Sequence, residues 1–252
     1  MHRIILDIGI FLALICVVGC RESNESKEKI TSGIEIEDDK YAPVAQLTFF
    51  DDRPSCTGTW IGKRNFLTAA HCGDDKYVNG VAPKRVIRPE DGDLTGTYLD
   101  IALYEFEEDM VEEFYQICET PPEVGADIVM VGFGSSNSYD IIETGKKRIG
   151  NNNIKRFELE DQHFGAKKTK IIVEGASSTG LSYTDDESER KEERMSSTGK
   201  GDSGGPMIDP QNNCIWGTVI GGKMIAENTD ETHYTYLLGP GLFDFFHDRG
   251  FL

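Results

Sequence analysis

Apolar residues along this chain come in short bursts separated by Gly, Pro, Asn and Asp. The bursts are 44–50 (VAQLTFF), 59–62 (TWIG), 66–70 (FLTAA), 100–106 (DIALYEF), 127–134 (DIVMVGFG), 169–175 (TKIIVEG) and 214–222 (CIWGTVIGG). Each is strand-sized, and their spacing is that of an all-β barrel or sandwich. No sustained helical period appears until the end of the chain. There LFDFFHDRGFL, after Gly239-Pro240-Gly241, predicts a short helix with Leu242, Phe243 and Phe246 facing inward. Two stretches read as long surface loops. Ser135 to Asn153 is rich in Ser, Asn and Gly, and Ser177 to Thr198 carries the charge run DDESERKEER. Such loops are natural sites of proteolytic nicking.

Length and charge narrow the picture. The 252 residues, with 27 glycines and 10% aromatics, suit one large β unit or two small packed ones and can bury a real core. A formal charge of −18 repels phosphate, which argues against nucleic acid and anionic lipid surfaces as partners. The first residues read as a signal peptide over 1–19. Met1-His2-Arg3 is a short basic start, and the apolar run Ile8 to Val18 is too short to span a bilayer. Its end, Val17-Val18-Gly19-Cys20, resembles a bacterial lipobox, which implies cleavage before Cys20 and lipid on its thiol. The alternative is an ordinary signal peptide with Cys20 incidental. Both readings export the chain to where disulfides persist. Residues 20–29 read as a polar tether or propeptide.

The chemistry concentrates at Gly201-Asp202-Ser203-Gly204-Gly205-Pro206. A serine hydroxyl needs a base to become nucleophilic, and its site needs amide donors aimed at the oxyanion. Glycines around Ser203 let the backbone turn tightly, with the N–H groups of Gly201 and Ser203 converging on one point. Of five histidines, His71 alone ends an apolar strand beside a cysteine, in Leu67-Thr68-Ala69-Ala70-His71-Cys72.

TAAHC, DIAL and GDSGGP, in that order, resemble the trypsin/chymotrypsin-like serine peptidases, from about Ile30 to the C-terminus. The resemblance implies an all-β fold of two packed six-stranded antiparallel β-barrels with a short C-terminal helix. The first barrel is expected over 30–118 with His71 and Asp100, the second over 119–252 with Ser203. It implies Ser203 as nucleophile, His71 as general base, Asp100 as the residue that orients His71, and Gly201 and Ser203 as the oxyanion hole. No cofactor or metal is implied, and the expected partner is a polypeptide substrate met by a monomer.

Further expectations follow from the resemblance. Cys56 and Cys72 would form the family's disulfide before the catalytic histidine. Cys118 and Cys214 are then left to pair by elimination, the rival being Cys20 with Cys118, which would tie a propeptide to the body. Lys29-Ile30-Thr31-Ser32-Gly33 partly matches the family's activation site. Cleavage after Lys29 by an activating protease would give Ile30 an ammonium to pair with Asp202. Otherwise Ile30 merely starts an exposed strand. Ser197 falls at the base of the specificity pocket, with Gly222 and Thr232 as its walls. Serine at that base disfavours Lys or Arg and leaves medium apolar or aromatic side chains. Ile220 stands where the family commonly has a serine that bonds the catalytic aspartate, so Asp100 is less well satisfied or uses another donor. The alternative function is a catalytically silent binding protein on the same fold.

Overall fold

The computed structural model describes residues 30, 33–89, 99–135, 145–161, 167–176, 196–226 and 229–252. The signal segment and Cys20 lie outside the described residues, as does most of the 177–198 stretch.

Strand β1 (Ile34–Glu35) opens the described chain and belongs to the second sheet. The first sheet follows with six strands: β2 (Val44–Thr48), β3 (Pro54–Gly62), β4 (Asn65–Thr68), β5 (Tyr77–Val78), β6 (Arg85–Ile87) and β7 (Ala102–Glu105), in the order β5-β2-β3-β4-β7-β6. All its pairings are antiparallel. Trp60, Phe66, Tyr104 and Phe106 fill its interior, with Trp60 4.9 Å from Phe66 and 5.2 Å from Phe106 between ring centroids. The second sheet holds β8 (Gln116–Ile117), β9 (Asp127–Gly132), β10 (Arg148–Asn153), β11 (Arg156–Asp161), β12 (Lys167–Ala176), β13 (Pro206–Asp209), β14 (Cys214–Ala226) and β15 (Thr229–Tyr236). With β1 it has nine strands, because the N-terminal segment joins β10 at its edge and β8 pairs in parallel with β14.

The unbroken apolar run in β9 has a geometric cause. Successive side chains of a strand point to opposite faces. Ile128 and Met130 enter the core of the second sheet, while Val129 and Val131 enter a core shared with the first, beside Leu67, Leu103 and Phe246. Burying both faces removes any need for polar alternation.

Two expectations are corrected. Residues 148–153 are not loop but β10, paired with β9 from Arg148↔Gly132 to Asn153↔Asp127. The polar string Arg148-Ile149-Gly150-Asn151-Asn152-Asn153 hides a strand because its inward polar side chains find hydrogen-bond partners inside the fold. Asn152 Nδ2 donates to the carbonyls of Glu174 (2.9 Å) and Ser196 (2.6 Å). The second correction concerns helix α1 (Phe243–His247). It buries Leu242, Phe245 and Phe246, whereas Phe243 is 48% exposed and stacks on His247. From Leu242 the positions three and four residues on share a face, and Phe243 is rotated off it.

Both expected disulfides form, Cys56–Cys72 and Cys118–Cys214, with Cα separations of 6.2 and 5.1 Å. The N-terminal segment is docked rather than trailing. Ile34 pairs with Ile149 and Glu35 with Arg148. Lys146 Nζ reaches the Glu35 carboxylate at 2.9 Å, and the buried Lys147 Nζ donates to the carbonyls of Asp38, Lys40 and Tyr41. Ile30 is fully buried in the core of the second sheet, with its backbone at a φ of 46°, so it is not the start of an exposed strand.

Candidate active site

His71 sits in a single 3₁₀ turn (Ala70–Cys72) directly after β4, where the strand ends and Cys72 is tied to Cys56. Asp100 precedes β7, completely buried between Leu99 and Ile101. Since β7 pairs with β4 through Thr68↔Ala102, the two residues are delivered to the same end of the first sheet. The ring Nδ1 of His71 lies 2.6 Å from Asp100 Oδ2, and the main-chain N–H of His71 donates to Oδ1 at 2.9 Å. Each carboxylate oxygen therefore binds the same histidine, one through its ring and one through its backbone. The second donor to Asp100 is thus the amide of His71 itself. A carboxylate on Nδ1 fixes the tautomer that leaves Nε2 without its proton and able to accept one.

Ser203 lies in the turn before β13. Its carbonyl accepts the Thr57 N–H at 2.9 Å, and Cys72 Sγ lies 3.8 Å from the same oxygen. The residue next to His71 thus touches the main chain of Ser203. Among the described residues no hydrogen bond joins the Ser203 hydroxyl to the His71 ring, and such bonds commonly tighten only when substrate is present.

The turn itself is held from behind. The Lys200 carbonyl accepts from Ser135 N–H at 2.6 Å, and the Asp202 carbonyl accepts from Gly205 N–H at 2.8 Å. In a trans peptide the N–H points opposite its C=O. The N–H groups of Gly201 and Ser203 belong to these two peptides, so both are directed away from the anchoring bonds. Among the described residues neither donates a hydrogen bond. Gly204, at a φ of 82°, packs so closely that a Cβ would overlap Thr68 Oγ1 and the Thr57 carbonyl.

Behind the turn, the buried Asp202 accepts from Gly134 N–H (2.7 Å, Oδ1) and Gly199 N–H (2.8 Å, Oδ2). Gly132 and Gly134 are required here, because a Cβ on either would enter the Asp202 carboxylate. Burial pushes the Asp202 carboxyl up to about 6, against the pull of the two amides and the charge of Arg148. Arg148 is itself fully buried and donates to the Gly134 carbonyl at 2.7 Å. No hydrogen bond joins Ile30 to Asp202 among the described residues. The two are nevertheless buried on the same side of the second sheet, with Ile30 against Gly150.

At the expected specificity pocket Ser197 is fully buried, and Gly222 pairs with Thr232 across β14 and β15. The Thr232 hydroxyl is engaged by Thr198, whose N–H lies 3.1 Å from it. Thr57, Ser135 and Arg148 were not expected from sequence. Thr57 and Ser135 bond the turn around Ser203, and the charge of Arg148 acts on Asp202, across long stretches of chain, and no local motif marks them.

No curated protein matches this chain. Several solved structures share its fold. Mouse neuropsin, a serine protease expressed in the limbic system of the brain, is 19% identical with a TM-score of 0.53, over 81% of this chain and 93% of that one. A mutant of human heparin binding protein is 13% identical with a TM-score of 0.61, over 87% and 95%. The active form of the Rv3671c protease from M. tuberculosis is 16% identical with a TM-score of 0.50, over 77% and 75%. The trypsin family model matches residues 30–238, a span that contains every residue of the site just described. This chain is therefore a member of the trypsin family.

Proposed function

We propose that the protein is a secreted serine endopeptidase that hydrolyses peptide bonds through an acyl-enzyme. The observation that carries the reading is the His71–Asp100 pair abutting a turn in which, among the described residues, the Gly201 and Ser203 N–H groups donate to nothing while the Lys200 and Asp202 carbonyls are held from behind. In this reading Ser203 Oγ attacks the scissile carbonyl while His71 Nε2 takes its proton. The imidazolium so formed is stabilised by the buried Asp100 carboxylate, and it later protonates the leaving amine. The oxyanion is met by two donors already in place, each worth about 3 kcal/mol in a water-excluded site. Water then hydrolyses the ester with His71 again as base.

The finer reading is a zymogen. Cleavage after Lys29 would free an ammonium on Ile30, whose side chain is already buried in the second sheet, and that ammonium would neutralise Asp202. N-terminal sequencing of active enzyme is expected to begin at Ile30, and any other start refutes it. Lipid on Cys20 would tether the precursor to a bacterial envelope, and the same cut would release the catalytic body. The pocket around Ser197, Gly222 and Thr232 would admit medium apolar or aromatic side chains.

The decisive experiment is labelling of the processed protein with a fluorophosphonate probe, alongside Ser203→Ala and His71→Ala. Labelling that depends on both residues is expected. If wild-type protein takes no probe, the chain is instead a binding protein built on a peptidase fold.

A further inference from the structure

We propose that Thr57, a residue of the first sheet, is a positioning residue for the oxyanion turn of the second, and that its side-chain hydroxyl does the positioning. The inference rests on the peptidase reading and adds a residue to it.

Thr57 lies in β3 and is fully buried. All its polar groups are used. Its N–H donates to the Ser203 carbonyl at 2.9 Å, and its carbonyl accepts from Thr68 Oγ1 at 2.8 Å. Its Oγ1 donates to the Gly201 carbonyl at 2.8 Å and accepts from Phe133 N–H at 3.0 Å. These directions are forced, because a carbonyl can only accept and an amide N–H can only donate. One hydroxyl therefore joins three elements: strand β3, the end of β9 and the turn that bears the nucleophile.

Gly201 needs such a hold. It sits at a φ of 95° and has no Cβ to limit its rotation. Its preceding peptide is anchored by Ser135 N–H on the Lys200 carbonyl. Its following peptide has Thr57 Oγ1 on the carbonyl, and Asp202 N–H reaching Gly199 at a long 3.2 Å. Without the hydroxyl, that second peptide keeps only the weaker bond. That peptide lies between the two that carry the Gly201 and Ser203 N–H groups, so loosening it lets the aim of the two donors drift relative to one another. Thr57 touches no reacting atom, so the effect of its hydroxyl on turnover runs through the peptide it holds between Gly201 and Asp202. The methyl group of Thr57 plays no part in this, which predicts that serine serves in its place.

The test compares Thr57→Val, which keeps the shape and removes the hydroxyl, with Thr57→Ser, which keeps the hydroxyl. Removing an oxyanion donor outright costs about 10²–10³ in kcat, so misaiming one is expected to cost roughly 10- to 100-fold. Thr57→Val is expected to show that loss in kcat and in the rate of fluorophosphonate labelling, with KM within about twofold of wild type. Binding of a peptide aldehyde, which forms the oxyanion, should weaken in parallel, while binding of a peptide lacking an electrophile should not change. Thr57→Ser should restore most of kcat. Thr57→Ala, which opens space beside Phe133 N–H instead of placing a methyl there, takes the place of valine if that chain does not fold, with the same loss expected. Wild-type protein that labels no faster than Thr57→Val overturns the assignment, as does a loss confined to KM or a serine variant as impaired as valine. Wild-type protein that takes no label at all overturns the peptidase reading, and this assignment with it.

Discussion

Asp202 offers a measurable test of the proposed activation. In the uncut chain its carboxyl is buried and raised from an ordinary 3.8 to about 6. That gap of roughly 2 pH units is worth about 3 kcal/mol. Because the folded value lies above the unfolded one, this group's contribution to stability is fully present below about pH 4 and is lost as the pH rises through about 6. Near neutral pH the uncut chain therefore holds a buried anion against two amides and Arg148 alone. An ammonium delivered to Asp202 by cleavage after Lys29 would bring the carboxyl back toward its ordinary range and recover up to about 3 kcal/mol. That gain is bounded on both sides. It shrinks on acidification as Asp202 protonates. It also fades on the alkaline side as the amine, whose unfolded pKa is about 8, deprotonates through its raised folded value. The assay is urea unfolding of two proteins in a Ser203→Ala background: one uncut and carrying Lys29→Gln, the other produced with Ile30 as its first residue. The expected result is a higher midpoint for the cut protein at about pH 7, converging with the uncut protein near pH 4. Equal midpoints at both pH values, or a difference that persists in acid, would refute the pairing of Ile30 with Asp202.

Three further outcomes are expected. Burial works to raise the Glu231 carboxyl, but bonds from Arg156 (2.6 Å), His233 (2.5 Å) and Lys223 (3.2 Å) hold it down at about 2. Glu231→Gln should therefore cost about 1–2 kcal/mol near neutral pH after allowance for the half-exposed arginine. That deficit should shrink as the pH falls below the ordinary carboxylate range toward about 2, as read by unfolding midpoints; an unchanged deficit in acid counts against the network. Gly204→Ala should abolish probe labelling and destabilise by about 3 kcal/mol or more, since the new methyl meets Thr68 and Thr57 at a strained positive φ. Replacing Cys56 and Cys72 together by alanine opens a loop with a separation of 16 residues and should cost about 3 kcal/mol in thermal or urea unfolding.

What could be read from the chain, and what could not, follows from where the information lies. The apolar bursts around Val44, Trp60, Leu103, Met130 and Ile171 became core strands because each buries a face that must be apolar. His71, Asp100 and Ser203 stand out as candidates because each sits in a short contiguous string. Strands β10, β11 and β15 were not. In RFELED and TDETHYTY the Arg156–Glu231 and Arg156–Glu174 ion pairs span strands, so charged residues occupy positions where a periodicity search expects apolar ones. In β10 the inward Arg148 and Asn152 donate to the carbonyls of Gly134 and Ser196, outside the strand. Thr57 was invisible for a related reason. Its partner Gly201 is 144 positions away, and nothing in Cys56-Thr57-Gly58 announces the meeting. The choice of Phe243 over Phe245 in the helix failed for a simpler reason: the position one residue after Leu242 was placed on its face, where the position three residues on belongs.

The Cys118–Cys214 bridge closes a loop with a separation of 96 residues. Both the Ser/Asn-rich and the Ser177–Thr198 segments begin and end inside that interval, so a backbone break in either leaves two pieces still fastened by sulfur. On a non-reducing gel such damaged molecules would migrate with intact ones, and only a reductant would reveal the scission. The Lys29–Ile30 bond lies outside both cystine loops, so severing it would let residues 1–29 separate without reduction. Two cuts in one polypeptide would thus differ in kind: one sheds mass and the other conceals it.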